Sequence, residues 1–157
     1  NAKYFRHIDN KFSKQDFTAE LLMPPHHQAV LDRLNTISKE WLSHGNRAER
    51  GFAMGYYSDA YMQLCPIMVV RDAAGTIQAF INQLPTDYDH EEANFDLLRH
   101  TSHSLGNIND YLLLQFMRHL HEQGYRRLNL GLCPLAGLDE STDVETHGLI
   151  DGSRRGA

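Results

Sequence analysis

A strand, a helix and a second strand follow one another in the second half of the chain, and this unit most constrains the fold. The first strand is predicted over Phe95 to His100, and the helix over Ile108 to Gln123. Gly124 ends the helix, and the second strand is predicted over Arg126 to Leu132. Because such a crossover is almost always right-handed and joins parallel strands, the unit fixes one parallel strand pair.

The apolar spacing in the rest of the chain predicts further helices and strands around this unit. Val30, Leu34, Ile37 and Trp41 recur at helical spacing. The segment Asp72-Ala73-Ala74-Gly75 is typical of a hairpin turn between two strands. Helices are predicted over residues 3–15, 26–43 and 58–64, with Ser58 as the N-cap of the last, and strands over residues 17–23, 51–57, 66–71 and 76–84. The predicted fold is α+β, with a mixed β-sheet flanked by helices.

Composition and charge exclude several classes of protein. The chain has 157 residues, of which 41% are hydrophobic, and is long enough for one core. Its net charge of −5 lacks the basic excess of an independent nucleic-acid binder, so an RNA substrate would be held largely by something outside this chain. No apolar run approaches the ~20 residues of a membrane span. Cys65 and Cys133 form no disulfide framework and are expected to be buried packing residues.

Asp96 and Arg99 are charged residues embedded in the apolar sequence of the predicted strand before the crossover helix. A carboxylate can bind an ammonium group, and a guanidinium can grip a phosphate or carboxylate through two parallel N–H bonds. Residues three apart on a regular strand face opposite ways, so the two side chains converge only if the strand ends or bulges between them. The alternative is that they form a structural ion pair.

Gly106 and Asn107 open the crossover helix. The free N–H groups and the dipole of a helix start favour anions, which makes this a candidate anion site; the alternative is an ordinary glycine before a helix. His100 is a candidate general base near neutral pH. The alternative is that it does not contact the substrate itself and only helps to position its neighbour Arg99. His100 and His103 have no cysteine or carboxylate at the spacing of a zinc site, and His119 and His121 diverge on the predicted helix, so no metal is predicted.

The order of the predicted elements resembles the Gcn5-related acyltransferase (GNAT) fold. Six segments are also similar, in this order, to the C-terminal catalytic region of the lysylphosphatidylglycerol synthases, also known as the multiple peptide resistance factor or oxacillin-resistance-related family. The segments are ISKEWL (37–42), GFAMG (51–55), CPIMVV (65–70), AFIN (79–82), FDLLRH (95–100) and NLGLCPL (129–135). The resemblance covers roughly residues 3 to 150.

The resemblance implies an activity and a set of site residues. The family transfers an aminoacyl group, usually lysyl or alanyl, from aminoacyl-tRNA to phosphatidylglycerol, which gives resistance to cationic peptides and some antibiotics. Asp96 and Arg99 match the family's Asp-x-x-Arg and are implied to be the catalytic residues that hold the aminoacyl group. The candidate substrate-binding residues are Asn82, His100, Gly106 and Asn107.

The resemblance also implies a place within a larger protein. The family's catalytic region is a tandem of two GNAT-like halves at the cytoplasmic face of the bacterial membrane, and this chain is similar to the second half. Residues 3–150 are therefore expected to form one domain, with residues 1–2 as a tag remnant and residues 151–157 as the tail of a domain cut short. The first half and the family's lysine-bearing final segment are missing, so we expect this soluble fragment to be inactive alone. Dimerisation of the fragment is left open.

Two alternatives remain at this point. The first is an N-acyltransferase that uses acyl-CoA, and the second is a non-catalytic GNAT-like interaction module. The segment 104–108 has a single glycine and lacks the glycine-rich pyrophosphate loop of acyl-CoA enzymes, which argues against CoA as a ligand. No cofactor is predicted.

Overall fold

The computed structural model describes residues 2–43, 57–84 and 92–129, and these residues form a sheet with helices on both faces. The helices are α1 (Ala2–Lys14), α2 (Gln28–Ser43), α3 (Asp59–Met62) and α4 (Ile108–Glu122). The strands are β1 (Thr18–Leu22), β2 (Ile67–Arg71), β3 (Ile77–Gln83), β4 (Glu92–His100) and β5 (Arg127–Asn129).

The strands lie side by side in the order in which they occur along the chain. Strands β1 to β4 are antiparallel neighbours, and β5 pairs in parallel with β4 after the crossover through α4. The predicted parallel pair and the mixed sheet are therefore confirmed. The predicted hairpin joins β2 to β3. In its turn, Oδ1 of Asp72 accepts hydrogen bonds from the N–H groups of Ala74 and Thr76, and Gly75 has a φ of 83°.

Two apolar clusters lie on opposite faces of the sheet. We call these faces the α1/α4 face and the α2/α3 face, after the helices that cover them. The cluster on the α1/α4 face includes Phe12, Met68, Ile81, Phe95 and Phe116. The cluster on the α2/α3 face includes Leu34, Tyr61, Val69, Phe80 and Leu97. Consecutive strand residues supply opposite clusters, as the pleat of a strand requires.

Several predicted bounds differ from the structure for local reasons. Helix α2 begins at Gln28 rather than at His26. The His26 N–H donates to Oε1 of Gln63 (2.7 Å), and Nε2 of its ring makes a hydrogen bond of 2.7 Å to the Cys65 carbonyl oxygen. Strand β4 begins at Glu92, three residues before the predicted start, since the parallel pairing with β5 extends it. Helix α3 ends at Met62, short of the predicted residue 64.

Other predictions lie wholly or partly outside the described residues. They are the strand at 51–57, the end of the last strand beyond residue 129, the burial of Cys133 and the tail at 151–157. The buried position predicted for Cys65 is confirmed. Among the helices of the three described ranges, none has the length and apolar character needed to cross a membrane.

Candidate functional site

Strand β4 carries a bulge at the candidate catalytic pair. In the pairing of β3 with β4, Ile81 lies opposite Leu98, whereas Gln83 lies opposite Phe95. Asn82, the one residue of β3 between these two pairs, therefore stands opposite two residues of β4, Asp96 and Leu97. An extra residue of this kind reverses the alternation of side chains along the bulged strand.

The bulge brings Asp96 and Arg99 to the same face of the sheet. Tyr61 of α3 donates its phenolic hydrogen to Oδ2 of Asp96 across 2.7 Å. The guanidinium carbon of Arg99 lies 5.0 Å from the ring centroid of Trp41, on α2. The side chains of Asp96 and Arg99 thus both point towards the α2/α3 face. On a regular strand, residues three apart would point to opposite faces.

Both side chains are withdrawn from solvent. Asp96 is 4% exposed and Arg99 is 1% exposed. A buried charge is costly unless other groups pair with it or hydrogen-bond to it, so contacts such as that from Tyr61 are needed to keep Asp96 in place. Removal from water also strengthens the attraction of each group for an opposite charge on a bound molecule.

Asn82 occupies the β3 position opposite the bulge. Its Oδ1 accepts a hydrogen bond of 2.7 Å from the N–H of Leu97, the second residue of the bulge. Its Nδ2 donates to the thiol sulfur of Cys65 at 3.7 Å, and its side chain is fully buried. Both ends of the amide therefore contact protein, and Asn82 supplies the acceptor that the irregular strand pairing would otherwise deny to a backbone N–H.

Tyr61 contacts the candidate pair through Asp96, and the sequence analysis did not select it as a candidate. Burial raises the pKa of its hydroxyl, and the hydrogen bond to Asp96 raises that pKa further, against a smaller lowering by Asn82. The hydroxyl consequently stays protonated and donates. In the sequence, the predicted N-cap Ser58 already places Tyr61 in the first turn of α3. The structure confirms this cap, because Oγ of Ser58 accepts a hydrogen bond of 3.1 Å from the Tyr61 N–H.

His100 lies on the other face of β4. Its partner across the sheet is Ala79, which belongs to the cluster on the α1/α4 face. Nδ1 lies 2.8 Å from the carbonyl oxygen of Thr101, a geometry in which Nδ1 carries the proton, and 3.3 Å from Oγ of Ser104. The structure therefore does not place the His100 ring beside the guanidinium of Arg99.

Gly106 and Asn107 also lie with the α1/α4 face. Lys11 of α1 donates from Nζ to the carbonyl oxygen of Gly106 across 2.8 Å. Asn107 is the N-cap of α4 in the left-handed conformation, with φ 68° and ψ 23°, and its side chain makes no capping hydrogen bond to the described first turn. The six candidate residues thus form two groups: Asn82, Asp96 and Arg99 on one face, and His100, Gly106 and Asn107 towards the other.

Burial raises the pKa of the Cys65 thiol, which keeps it protonated and a poor nucleophile near neutral pH. Within the part of the chain that the structure describes, no three histidine, cysteine or acidic side chains come together as metal ligands.

The fold places the chain among the GNAT-like proteins. A GNAT family N-acetyltransferase from Escherichia coli, solved in complex with CoA, matches 71% of this chain and 60% of its own length with a TM-score of 0.51. At 14% identity this match shows the fold alone.

The family follows from closer matches. The profile described as "Phosphatidylglycerol lysyltransferase, C-terminal" matches residues 2–151, and the chain belongs to this family. A phosphatidylglycerol lysyltransferase of Bacillus subtilis is 35% identical over 133 residues, which cover 85% of this chain. The structure of L-PGS from Bacillus licheniformis is 32% identical, with a TM-score of 0.73 over 86% of this chain and 41% of that one. The chain spans only 15% of the length of the Bacillus subtilis relative.

Proposed function

We propose that this chain is the second GNAT-like half of an enzyme that transfers a lysyl or alanyl group from aminoacyl-tRNA to phosphatidylglycerol. The observation that carries the proposal is the bulge that turns the buried carboxylate of Asp96 and the buried guanidinium of Arg99 to one face of the sheet. Membership of the phosphatidylglycerol lysyltransferase family supports the choice of substrates.

The proposed step is a direct transfer between two oxygen atoms. A hydroxyl oxygen of the lipid headgroup forms a bond to the carbonyl carbon of the aminoacyl ester. The bond from that carbon to the ribose oxygen of the tRNA breaks, and the hydroxyl proton ends on the ribose oxygen. Such a reaction depends on orientation of the two substrates and on stabilisation of the charge that develops at the carbonyl. The raised pKa of the Cys65 thiol argues against an acyl-enzyme on that residue.

Asp96 and Arg99 have complementary roles in this proposal. Asp96 binds the α-ammonium of the aminoacyl group, and Tyr61 holds the carboxylate in the required position by its 2.7 Å hydrogen bond. Arg99 binds an anionic group, either a phosphate or the developing oxyanion, through its N–H donors. Asn82 maintains the bulge on which both positions depend.

The larger protein context is also part of the proposal. Residues 3–150 act as one half of a tandem, and the other half supplies the remaining catalytic groups at the cytoplasmic face of the membrane. The small share of the Bacillus subtilis relative that this chain spans supports such a context. The isolated fragment is expected to be inactive.

The test is a transfer assay with this chain in a protein of the relatives' full length. Radiolabelled lysyl-tRNA or alanyl-tRNA is mixed with phosphatidylglycerol vesicles, and label in the lipid is measured for wild type, Asp96→Asn and Arg99→Gln. Transfer by the wild type and its loss in both variants would support the proposal. Arg71→Gln is the control, since Arg71 pairs on the surface with Glu20 at 3.3 Å. No lipid labelling with either tRNA, together with saturable acetyl-CoA binding, would favour the acyl-CoA alternative instead.

A further inference from the structure

Two consecutive residues in the last turn of α2 contact the end of β4, where Arg99 lies. Trp41 presents its ring to the Arg99 guanidinium at 5.0 Å from the ring centroid. Glu40 accepts two hydrogen bonds at Oε1, from the N–H (2.8 Å) and from the hydroxyl (2.5 Å) of Ser102. One helix end thus contacts the chain on either side of His100.

The contact between Trp41 and Arg99 suits an arginine that must bind an anion. The attraction between an aromatic ring and a guanidinium acts on the delocalised charge of the guanidinium and does not require any one of its five N–H donors. Tryptophan is the aromatic side chain that attracts a cation most strongly, and the attraction increases when water is excluded, as it is around a residue that is 1% exposed. Trp41 therefore limits the orientations of the guanidinium without competing for its hydrogen bonds.

The turn that Glu40 holds is also fixed from β3. Thr101 donates its N–H to the carbonyl oxygen of Gln78 (2.9 Å) and its hydroxyl to Oε1 of Gln78 (2.7 Å). Glu40 then joins the next residue, Ser102, to α2. The chain that leaves Arg99 is tied to a strand on one side and to a helix on the other. The end of α2, and with it Trp41, is thereby set at a defined distance from Arg99.

We propose that Trp41 and Glu40 are positioning residues for Arg99. Trp41 orients the guanidinium, and Glu40 keeps Trp41 in register with it by holding the turn after β4. The effect on catalysis rests on the proposed role of Arg99 in aminoacyl transfer, whereas the orientation of Arg99 by Trp41 can be measured without any activity.

The first measurement is the transfer assay on matched pairs of variants in the protein of full length. Trp41→Leu removes the ring and Trp41→Phe keeps one. We expect kcat/KM to fall at least about tenfold for Trp41→Leu and less than about threefold for Trp41→Phe. Glu40→Ala loses activity in the same direction, while Glu40→Gln, which keeps an acceptor oxygen, stays close to wild type. Equal activities of Trp41→Leu and wild type would overturn the proposal.

A double-mutant cycle separates positioning from a general loss of structure. In an Arg99→Lys background, which keeps the charge but not the planar guanidinium, the positioning role predicts that Trp41→Leu reduces the remaining kcat/KM much less than it does in the wild type. Full additivity of the two losses, with unchanged melting temperatures, would show that Trp41 does not act through Arg99 and would overturn the proposal.

The second measurement uses the fluorescence of this 157-residue chain, in which Trp41 is the single tryptophan. Arg99→Gln is expected to shift the Trp41 emission maximum and to increase quenching by acrylamide, because the indole loses the cation over its face. Arg118→Gln, on α4 across the sheet, is the matched control and leaves both unchanged. An emission spectrum insensitive to Arg99→Gln would overturn the proposal. If emission shifts but the wild-type protein of full length labels no lipid, the proposed function fails while the orientation of Arg99 by Trp41 stands.

Discussion

The hydroxyl of Tyr61 donates a hydrogen bond to Oδ2 of Asp96 across 2.7 Å, and the two residues come from a helix of four residues and from the bulge of β4. Neither side chain is more than 8% exposed. The contact joins α3 to the sheet at the candidate site, and it gives a buried carboxylate a donor that stays protonated.

Loss of the Tyr61 hydroxyl should destabilise the protein and weaken the site together. Tyr61→Phe leaves a buried carboxylate with one donor fewer, so we expect the free energy of unfolding in urea to fall by about 1–3 kcal/mol. Tyr57→Phe is the comparison, since the Tyr57 hydroxyl donates to the carbonyl oxygen of Leu31 (2.7 Å) and interacts with Asp59, a carboxylate that is only partly buried. Its expected cost is smaller, about 1 kcal/mol. Equal costs for the two variants would contradict a special role for the bond to Asp96.

The amide of Asn82 should be required for the bulge. Asn82→Ala removes the acceptor for the Leu97 N–H and leaves a space in the core, with an expected cost of about 2–4 kcal/mol in the free energy of unfolding. Amide hydrogen exchange at Leu97 should become faster than in the wild type, while exchange at Val69, in the middle of β2, follows only the global change in stability. Protection of Leu97 that is unchanged in Asn82→Ala would show that another group holds the bulge.

Local sequence predicts those features of this fold whose interacting residues are close together in the chain. The turn at Asp72 to Gly75 and the cap at Ser58 depend on residues within four positions of one another, and both were predicted. The crossover from β4 to β5 follows from handedness and was also predicted. These features need no knowledge of the partner strands.

The bulge depends instead on contacts between distant parts of the chain. Asn82 and Leu97 are 15 positions apart, and Tyr61 and Asp96 are 35 apart. The sequence showed that Asp96 and Arg99 could share a face only if the strand were irregular, but strand register is set by pairing across the sheet and by burial. The place of His100 on the opposite face has the same origin, because it follows from the register with Ala79.

The hairpin carboxylate of Asp72 should give a pH-dependent contribution to stability. Burial alone would raise the pKa of Asp72, but hydrogen bonds from Gln78, Thr76 and Ala74 outweigh it and hold that pKa below its ordinary value of 3.8. A folded-state pKa that is lowered adds stability above the unfolded-state pKa, and this stability is lost as the pH falls through the folded-state pKa. Asp72→Asn should therefore lower the free energy of unfolding by about 1 kcal/mol at pH 7.

Urea unfolding of wild type and Asp72→Asn from pH 7 to pH 2 would check this expectation. The gap between the two proteins should be constant down to about pH 4 and should close at lower pH. Glu122→Gln, at an exposed position of α4, is the control for the general effect of removing one negative charge. A gap that does not narrow as the pH falls would mean that the charge of Asp72 is not what stabilises the turn.

The cap of α3 should control the site through Tyr61. Ser58→Ala removes the acceptor for the Tyr61 N–H and should cost about 1 kcal/mol in the free energy of unfolding, whereas Ser58→Asp keeps an acceptor and should cost little. Because α3 has only four residues, the cap is a large share of what holds Tyr61 against Asp96. Transfer activity should accordingly fall in Ser58→Ala and be restored in Ser58→Asp. In a Tyr61→Phe background the same Ser58→Ala change should reduce activity much less, and an undiminished effect there would show that the cap acts on the site by another route.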